Sequence, residues 1–241
     1  MTQYPHQFSS PFLSLSAHSF PDFKGIVFVQ GVENPTGTWL TSTGRWWGGD
    51  LGGVHKNPID LQNENFNKRV AYAPHIYGPS IYMMDYFKDP DFPNNLASVF
   101  QDQWGFAQVQ TGRAVVLGEW GGSISTNPLM EKWADSLVNY MIKRCMTNNF
   151  FWSLNPDSAD TGGLLEMDWM TPDQVKLDML AKLQPHPSRL EVKAGATTTT
   201  PVQYIFTPGD FASNECSLKD RFPSPLYLNL VPQPVEEGPQ A

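Results

Sequence analysis

The residues best suited to chemistry are Glu119 and the pair His75 and Tyr77, which lie near the ends of two apolar runs. Glu119 belongs to AVVLGEWGG, residues 114–122, whose apolar start predicts a strand buried on both faces. His75 and Tyr77 belong to RVAYAPHIYG, residues 69–78, and their spacing of two places both side chains on one face. A carboxylate at the carboxyl end of a parallel strand lies where α/β enzymes keep their catalytic groups. The alternative is that Glu119 caps the following helix.

This combination of residues suits the hydrolysis of glycosidic bonds, in which one carboxylate attacks or stabilises the sugar carbon and a second protonates the leaving oxygen. Tyr77 would donate a hydrogen bond to Glu119 and keep it ionised, and His75 would orient the network or bind a sugar hydroxyl. Trp46 and Trp47 offer flat faces on which sugar rings stack. Taken alone, His75 could equally be a structural histidine, and the two tryptophans could be a packing plug or a partner-binding patch.

The elements that position these residues follow a strand, loop and helix order. Apolar runs predict four strands, at residues 26–31, 69–78, 114–118 and 150–154. Three stretches predict helices: from Asn94 or Asn95 to Gly112, from Asn127 to about Asn148, and from Thr171 to Gln184. The alternation over residues 25–190 predicts an α/β fold with parallel strands and right-handed crossovers. Four such units make half of an eight-unit barrel or a small open sheet.

The two ends of the chain differ from this middle part. Residues 1–24 lack a sustained period and are predicted to be an irregular N-terminal extension. Residues 191–241 contain a four-threonine run and many prolines, which predict a linker and a largely disordered tail, with a local strand at VQYIF. Cys145 on a helix and Cys216 in the tail are predicted to be free or incidental thiols.

Composition limits the partners of the chain. A net charge of -8 and a pI near 5.0 argue against nucleic acid and against anionic membranes as partners. Apolar runs stay well short of the roughly 20 residues that a spanning helix requires. The first residues do not read as a secretory signal. Metal-ligand spacings, phosphate loops and cofactor fingerprints are not found, so we expect neither a metal nor a cofactor.

Six segments in order make the sequence recognisable. They resemble the carboxyl half of a glycoside hydrolase family 5 cellulase, an endo-β-1,4-glucanase, over about residues 25–183: IVFVQGVE, RWWGGDLGG, RVAYAPHIYGPSIY, DPDFPNNL, VVLGEWGG and FFWSLNPDSADTGGLLEMDW. The family has an eight-stranded (β/α) barrel, retains configuration at the sugar carbon and uses two glutamates. The resemblance therefore implies a partial (β/α)8 TIM barrel made of strands five to eight and their helices.

The resemblance also implies roles for individual residues. Glu119 matches the nucleophile at the end of the seventh strand, and His75 and Tyr77 match the histidine and tyrosine that end the sixth. Asp157 and Asp160 lie in the loop after the eighth strand, and we assign them a mainly structural role in its turns. Three tryptophans match aromatic residues of the substrate cleft: Trp46 and Trp47 after the fifth strand, and Trp152 on the eighth.

One part of the family pattern is missing. The family carries its acid/base glutamate in an Asn-Glu-Pro motif at the end of the fourth strand, but the residues before IVFVQG contain no glutamate. The segment Glu33-Asn34-Pro35 has the order scrambled and follows the fifth strand. We therefore expect a truncated chain that is inactive alone, and we expect its unpaired strand edges to favour self-association.

These observations predict a retaining glycosidase that acts on β-1,4-glucan or a related polysaccharide, in a chain that lacks its proton donor. An alternative is a sugar-binding or interaction module that keeps the tryptophan-lined half cleft without catalysis. A third is a homodimer in which two half barrels close into one. The family is typically secreted while this sequence shows no signal, so the localisation stays open.

Overall fold

The computed structural model of the chain describes residues 25–33, 44–61, 63–184, 189–193, 202–207 and 226–230. The chain divides into two compact units, Met1–Leu183 and Gln184–Ala241, which are taken separately below. The predicted N-terminal extension, residues 1–24, lies outside the described residues. Within the described residues, no helix has the length and apolar character needed to cross a membrane.

The first unit is built on parallel strands. The strand bounds are β1 (Val27–Val29), β2 (Val70–Tyr72), β3 (His75–Tyr77), β4 (Leu117–Gly121) and β5 (Asn149–Phe151). β1 pairs with β2, and β3, β4 and β5 form a second ladder in that order, with every pairing parallel. A parallel bridge between Tyr72 and Val115 links the two ladders. The α/β class and the parallel strands agree with the sequence prediction.

The predicted strand over residues 69–78 is divided between β2 and β3. Pro74 lies between them and has no N–H group to donate to a ladder. The segment nevertheless keeps backbone bonds on both sides, because the Ala73 N–H donates to the Val29 carbonyl and the Pro74 carbonyl accepts from Gly118. The pairing with β1 ends at this point while the pairing toward β4 continues, so His75 and Tyr77 lie beside β4.

Helices follow the strands along the chain. Their bounds are α1 (Glu64–Asn67), α2 (Leu96–Phe100), α3 (Phe106–Thr111), α4 (Pro128–Arg144) and α5 (Gln174–Ala181). A π-helical turn, Gln101–Gly105, joins α2 to α3. Short 3-10 turns at Gly52–His55 and Asp85–Lys88 interrupt the long loops after β1 and β3.

The helix ends agree with the side chains that the sequence offers. The Asn127 side chain accepts a hydrogen bond from the Leu129 N–H at 3.0 Å, and Pro128 occupies the first position of α4. Asp173 caps α5 in the same way through the Lys176 N–H at 3.2 Å. Gly112 ends α3 with a left-handed φ of 68°.

The end of α4 differs from the prediction. The helix stops at Arg144, before the predicted end near Asn148, because Cys145 adopts a left-handed conformation with φ of 54°. Cys145 is disulfide-bonded, so the predicted free thiol at this position is wrong.

The two faces of the parallel sheet are packed differently. On one face, Trp120 of β4 packs against Trp133 of α4 with ring centroids 6.4 Å apart, and both rings are fully buried. On the other face, Phe28 of β1 and Phe150 of β5 meet edge to face at 5.6 Å, and each leaves about half of its surface exposed, 47% and 53%. The helices therefore bury one face of the sheet more completely than the other.

The second unit contains three antiparallel strands, β6 (Arg189–Lys193), β7 (Val202–Thr207) and β8 (Leu226–Leu230), with β7 in the centre. This pairing differs from the largely disordered tail that the composition predicts, although β7 agrees with the local strand predicted at VQYIF. In the sequence, β7 lies between Pro201 and Pro208, so neither proline interrupts it.

Candidate active site

Glu119 lies near the carboxyl end of β4, and the parallel register pairs it with His75 of β3. The Tyr77 hydroxyl donates a hydrogen bond to Glu119 Oε2 at 2.8 Å. His75 Nδ1 lies 3.5 Å from the same oxygen. The structure therefore brings together the three residues that the sequence proposed as a catalytic group.

The two oxygens of Glu119 have different surroundings. Both Tyr77 and His75 approach Oε2, whereas no hydrogen bond or ion pair among the described residues reaches Oε1. The Glu119 side chain is 19% exposed, so the carboxylate remains open to the cleft. One oxygen is thus held in place while the other is free for a ligand.

His75 occupies a narrow slot between two glycines. A Cβ atom at Gly48 would lie 2.9 Å from His75 Nδ1, and one at Gly118 would lie 3.0 Å from His75 Cδ2. Gly48 also has a left-handed φ of 70°, which favours glycine. Since side chains at either position would displace the imidazole, the two glycines set its orientation beside Glu119.

Burial determines the protonation of His75. Desolvation lowers the pKa of the imidazole, and this effect outweighs the opposing attraction of the Glu119 charge. Nδ1 is buried and makes no hydrogen bond within the described residues. His75 is therefore a neutral group beside the carboxylate and does not compensate its charge.

Tyr77 remains a hydrogen-bond donor at any ordinary pH. Burial raises the pKa of its hydroxyl, and the hydrogen bond to Glu119 and the charge of that carboxylate raise it further. Its ring packs edge to face against Trp46 with centroids 5.7 Å apart. Tyr77 is therefore a protonated donor at a fixed position beside Glu119 Oε2.

The three predicted tryptophans are placed differently. Trp46 is only 6% exposed, and its indole N–H donates to the Tyr86 hydroxyl at 3.0 Å. Trp47 is 50% exposed and meets the His75 ring edge to face at 4.7 Å. Trp152, which precedes Ser153 across a cis peptide bond, is 45% exposed. Trp47 and Trp152 therefore offer ring faces to a ligand, while most of Trp46 packs inside the protein.

A charge network that runs from buried Asp50 to exposed Asp102 holds the loop that carries Trp46 and Trp47. Arg45 lies between Asp50, at 3.6 Å, and Asp102, at 2.8 Å. Asp50 is buried and accepts a hydrogen bond from the Gly52 N–H at 2.9 Å, and burial raises the pKa of its carboxyl group. This network fixes the start and the end of the segment RWWGGD.

A cleft of about 280 Å³ connects these groups. It is lined by Trp46, Trp47, Tyr77, Ile81, Glu119, Trp152, Asp160 and Thr161. Asp160, to which the sequence assigned a mainly structural role, thus lies in the same cleft as Glu119. Asp157 is absent from this lining, and its carboxylate accepts a hydrogen bond from the Asn155 amide. No pattern in the sequence distinguishes the position of Asp160 in the cleft from that of Asp157 outside it.

The sequence profile of cellulase, glycosyl hydrolase family 5, matches residues 21–158, which is more than half of the chain. The chain belongs to glycosyl hydrolase family 5. The resemblance carried by the six sequence segments is therefore confirmed.

Relatives of this family 5 chain are endoglucanases. The endoglucanase of Paenibacillus polymyxa is 39% identical over 163 residues, which cover 66% of this chain and 38% of the relative. The major extracellular endoglucanase of Xanthomonas campestris pv. campestris is 35% identical over 162 residues, which cover 66% of this chain and 32% of that one. The chain thus spans about a third of the length of these curated relatives.

The similar solved structures are also cellulose-degrading enzymes by name. An endocellulase from Pyrococcus horikoshii, in complex with cellotetraose, aligns with a TM-score of 0.63 and 32% identity over 73% of this chain and 47% of its own. The catalytic domain of the major Xanthomonas campestris endoglucanase aligns with a TM-score of 0.64 and 30% identity over 76% of this chain and 51% of its own.

The family 5 cleft has a neighbouring cavity of about 440 Å³, which shares Trp46 and Trp47 with it. Its lining includes Glu33 and the exposed side chains of Tyr82 and Met83. Within the part of the chain that the structure describes, no group of three His, Cys, Asp or Glu residues could hold a metal ion.

Proposed function

We propose that this site hydrolyses β-1,4-linked glucan with retention of configuration, with Glu119 as the nucleophile. The observation that carries the proposal is the placement of Glu119 at a strand end, held by the Tyr77 hydroxyl in a cleft with the exposed ring of Trp152. Endoglucanase activity in the relatives and cellotetraose in a solved relative support a neutral β-glucan as the substrate.

The geometry suggests how the reaction would proceed. A glucose ring would stack on Trp152 with its anomeric carbon facing Glu119 Oε1, the oxygen that is free of protein contacts. Oε1 would form a bond to that carbon while the bond to the leaving glycosidic oxygen breaks and an acid protonates that oxygen. Water would then attack the same carbon, release Glu119 and give a product of unchanged configuration. Tyr77 would hold Oε2 throughout.

The proton donor is the open part of this mechanism. Retaining glycosidases place two carboxyl groups about 5 to 5.5 Å apart, one as nucleophile and one as acid and base. Among the described residues that line the cleft, Asp160 is the one carboxylate besides Glu119, and Glu33 lines the neighbouring cavity instead. We propose that the proton donor comes from outside the described residues and that the chain alone binds glucan without efficient turnover.

We propose that the fold of the first unit is half of an eight-stranded barrel. Coverage of about half of each solved relative, together with four parallel β/α units, supports β1 to β5 as strands five to eight of a (β/α)8 barrel. Among the described residues, the outer edges of β1 and β5 pair with no strand, which supports self-association or pairing with a complementary partner.

A β-1,4-linked glucan chain that is longer than the cleft would continue into the neighbouring cavity. Trp47 belongs to both linings, and Tyr82, which is 65% exposed, adds a second aromatic ring there. We propose that the sugar units released with the leaving glycosidic oxygen lie along these two rings.

A test combines binding and turnover on the purified chain. Tryptophan fluorescence titration should detect cello-oligosaccharide binding by the wild type and by Glu119→Gln, and Trp152→Ala should weaken it about tenfold, since a ring contact to a sugar is lost. Absence of binding by the wild type would contradict the proposed substrate. Turnover of a soluble β-glucan that Glu119→Gln abolishes would support the nucleophile and contradict the proposed need for an external acid.

The second candidate is a carbohydrate-binding module that derives from this enzyme family and lacks catalysis. The half-exposed rings of Trp47 and Trp152 favour it, because they bind a sugar without any proton donor. Adding back a complementary barrel half separates the two candidates. Restored turnover that depends on Glu119 would support the enzyme, whereas unchanged binding without turnover would support the module.

A further inference from the structure

Among the described residues that line the cleft, Asp160 is the one charged group that has no role in the proposed mechanism. Its residue lines the same 280 Å³ space as Glu119 and Trp152, and it is exposed to solvent. The carboxylate is also close enough to Tyr77 for its charge to raise the pKa of that hydroxyl. Asp160 therefore faces the site from the loop that follows β5.

The loop holds Asp160 firmly in this position. Thr161, directly after it, is buried, and its hydroxyl donates to Ser158 Oγ at 2.7 Å. Gly162 has a left-handed φ of 60°, and its N–H donates to the Ser158 carbonyl at 2.6 Å. Lys176 of α5 adds a bond from its Nζ to the Gly163 carbonyl at 2.7 Å. The orientation of Asp160 is thus prepared in advance of any ligand.

The carboxylate itself remains largely available. Ser158 Oγ donates to Oδ1 of Asp160 at 3.2 Å, and no hydrogen bond or ion pair among the described residues reaches Oδ2. Asp157, three residues earlier in the same loop, differs because its carboxylate is engaged by Asn155. A purely structural role accounts for Asp157 but leaves Oδ2 of Asp160 without a function.

Charge limits the ligand that this oxygen accepts. The cleft lining contains two carboxylates, Glu119 and Asp160, and neither lysine nor arginine among the described residues. Such a site attracts hydroxyl donors and repels anions. Paired hydroxyl groups of a neutral sugar ring satisfy both conditions.

We propose that Asp160 is a substrate-binding residue, whose carboxylate accepts hydroxyl groups of the sugar ring lying on Trp152 and makes the site select neutral sugars over uronic acids. This inference rests on the proposed function, because it assumes that the cleft binds a β-1,4-linked sugar chain. It adds a specificity-determining residue that is separate from Glu119, Tyr77 and His75.

The experiment compares two aspartates of one loop. Asp160→Asn and its matched control Asp157→Asn are titrated with cellotetraose and with the β-1,4-linked tetramer of glucuronic acid, and their thermal unfolding is measured. We expect Asp160→Asn to bind cellotetraose about tenfold more weakly or worse, since it loses a charge-assisted hydrogen bond. We also expect its preference for cellotetraose over the glucuronic acid tetramer to fall. Asp157→Asn should change neither quantity.

The outcomes separate this inference from the proposed function. If wild-type chain binds cellotetraose and Asp160→Asn binds it equally well, the role of Asp160 is wrong while the function stands. If the wild type does not bind cellotetraose, the proposed function itself fails. Equal losses in the two variants, or a loss in Asp160→Asn that follows a fall in its unfolding temperature, would show a structural role and overturn the inference.

Discussion

The two faces of the parallel sheet differ in what they contribute. On the helix-covered face, Ile76 and Trp120 occupy paired register positions and are fully buried. On the opposite face, His75 pairs with Glu119, and farther along the same face Phe28 and Phe150 are half exposed. Stability therefore comes chiefly from the first face, while the chemical groups and the open apolar surface share the second. The following predictions test this division.

The largest effect is expected on the covered face. Leu137→Ala in α4 removes a fully buried side chain and should lower the free energy of unfolding by about 2 to 5 kcal/mol. Leu129→Ala in the same helix is the control, because its side chain is 43% exposed and should cost less than about 1 kcal/mol. Chemical denaturation measures both. Equal losses would show that the helix-facing core is not the main source of stability.

A smaller effect is expected where the open face meets the site. In Gly118→Ala the added methyl group would lie 2.8 Å from the Ala73 carbonyl oxygen and 3.0 Å from the His75 ring. Overpacking of this kind should cost about 1 to 3 kcal/mol and should weaken oligosaccharide binding by tilting His75. Gly112→Asn is the control, since nothing lies within 4 Å and asparagine tolerates a left-handed φ. Unchanged binding in Gly118→Ala would contradict the role of the glycine slot.

The next effect depends on pH. Because burial lowers the pKa of His75 below its ordinary value of 6.5, the unfolded chain takes up a proton on this group before the folded chain does. The free energy of unfolding should therefore fall as the pH drops below about 6.5. Above that pH, His75 should contribute no pH dependence to it. His75→Asn should flatten this part of the profile of unfolding free energy against pH. A profile of identical slope in the variant would contradict the buried neutral imidazole.

The smallest effect is expected at the exposed phenylalanine pair of the open face. Phe28→Thr should change the free energy of unfolding by only about 0.5 kcal/mol, because about half of the ring already contacts solvent. It should also reduce self-association, which light scattering would detect. A loss above about 2 kcal/mol would mean that another part of the chain or a partner covers this face.

The residues at strand ends could be predicted because short-range rules place them. An apolar run followed by Glu119, and a spacing of two between His75 and Tyr77, are enough to locate one face and one edge of a sheet. The helix caps at Asn127 and Asp173 are local as well, and the structure contains both.

Other features depend on contacts that are distant in sequence. Trp46 and Trp47 are adjacent and chemically identical, yet one ring is buried against Tyr86 and the other is half exposed. Asp160 enters the cleft because Gly162 and Lys176 set the course of its loop. Neither distinction has a signal in composition or periodicity.

Because Tyr77 and His75 both approach Oε2 of Glu119, the two oxygens of this carboxylate are not equivalent. With Oε2 anchored, the group cannot turn about its last bond without losing the tyrosine contact, so Oε1 keeps one orientation toward the cleft. Under the proposed function, a reactive glycoside should trap the side chain through Oε1, and replacing Tyr77 with phenylalanine should allow either oxygen to react.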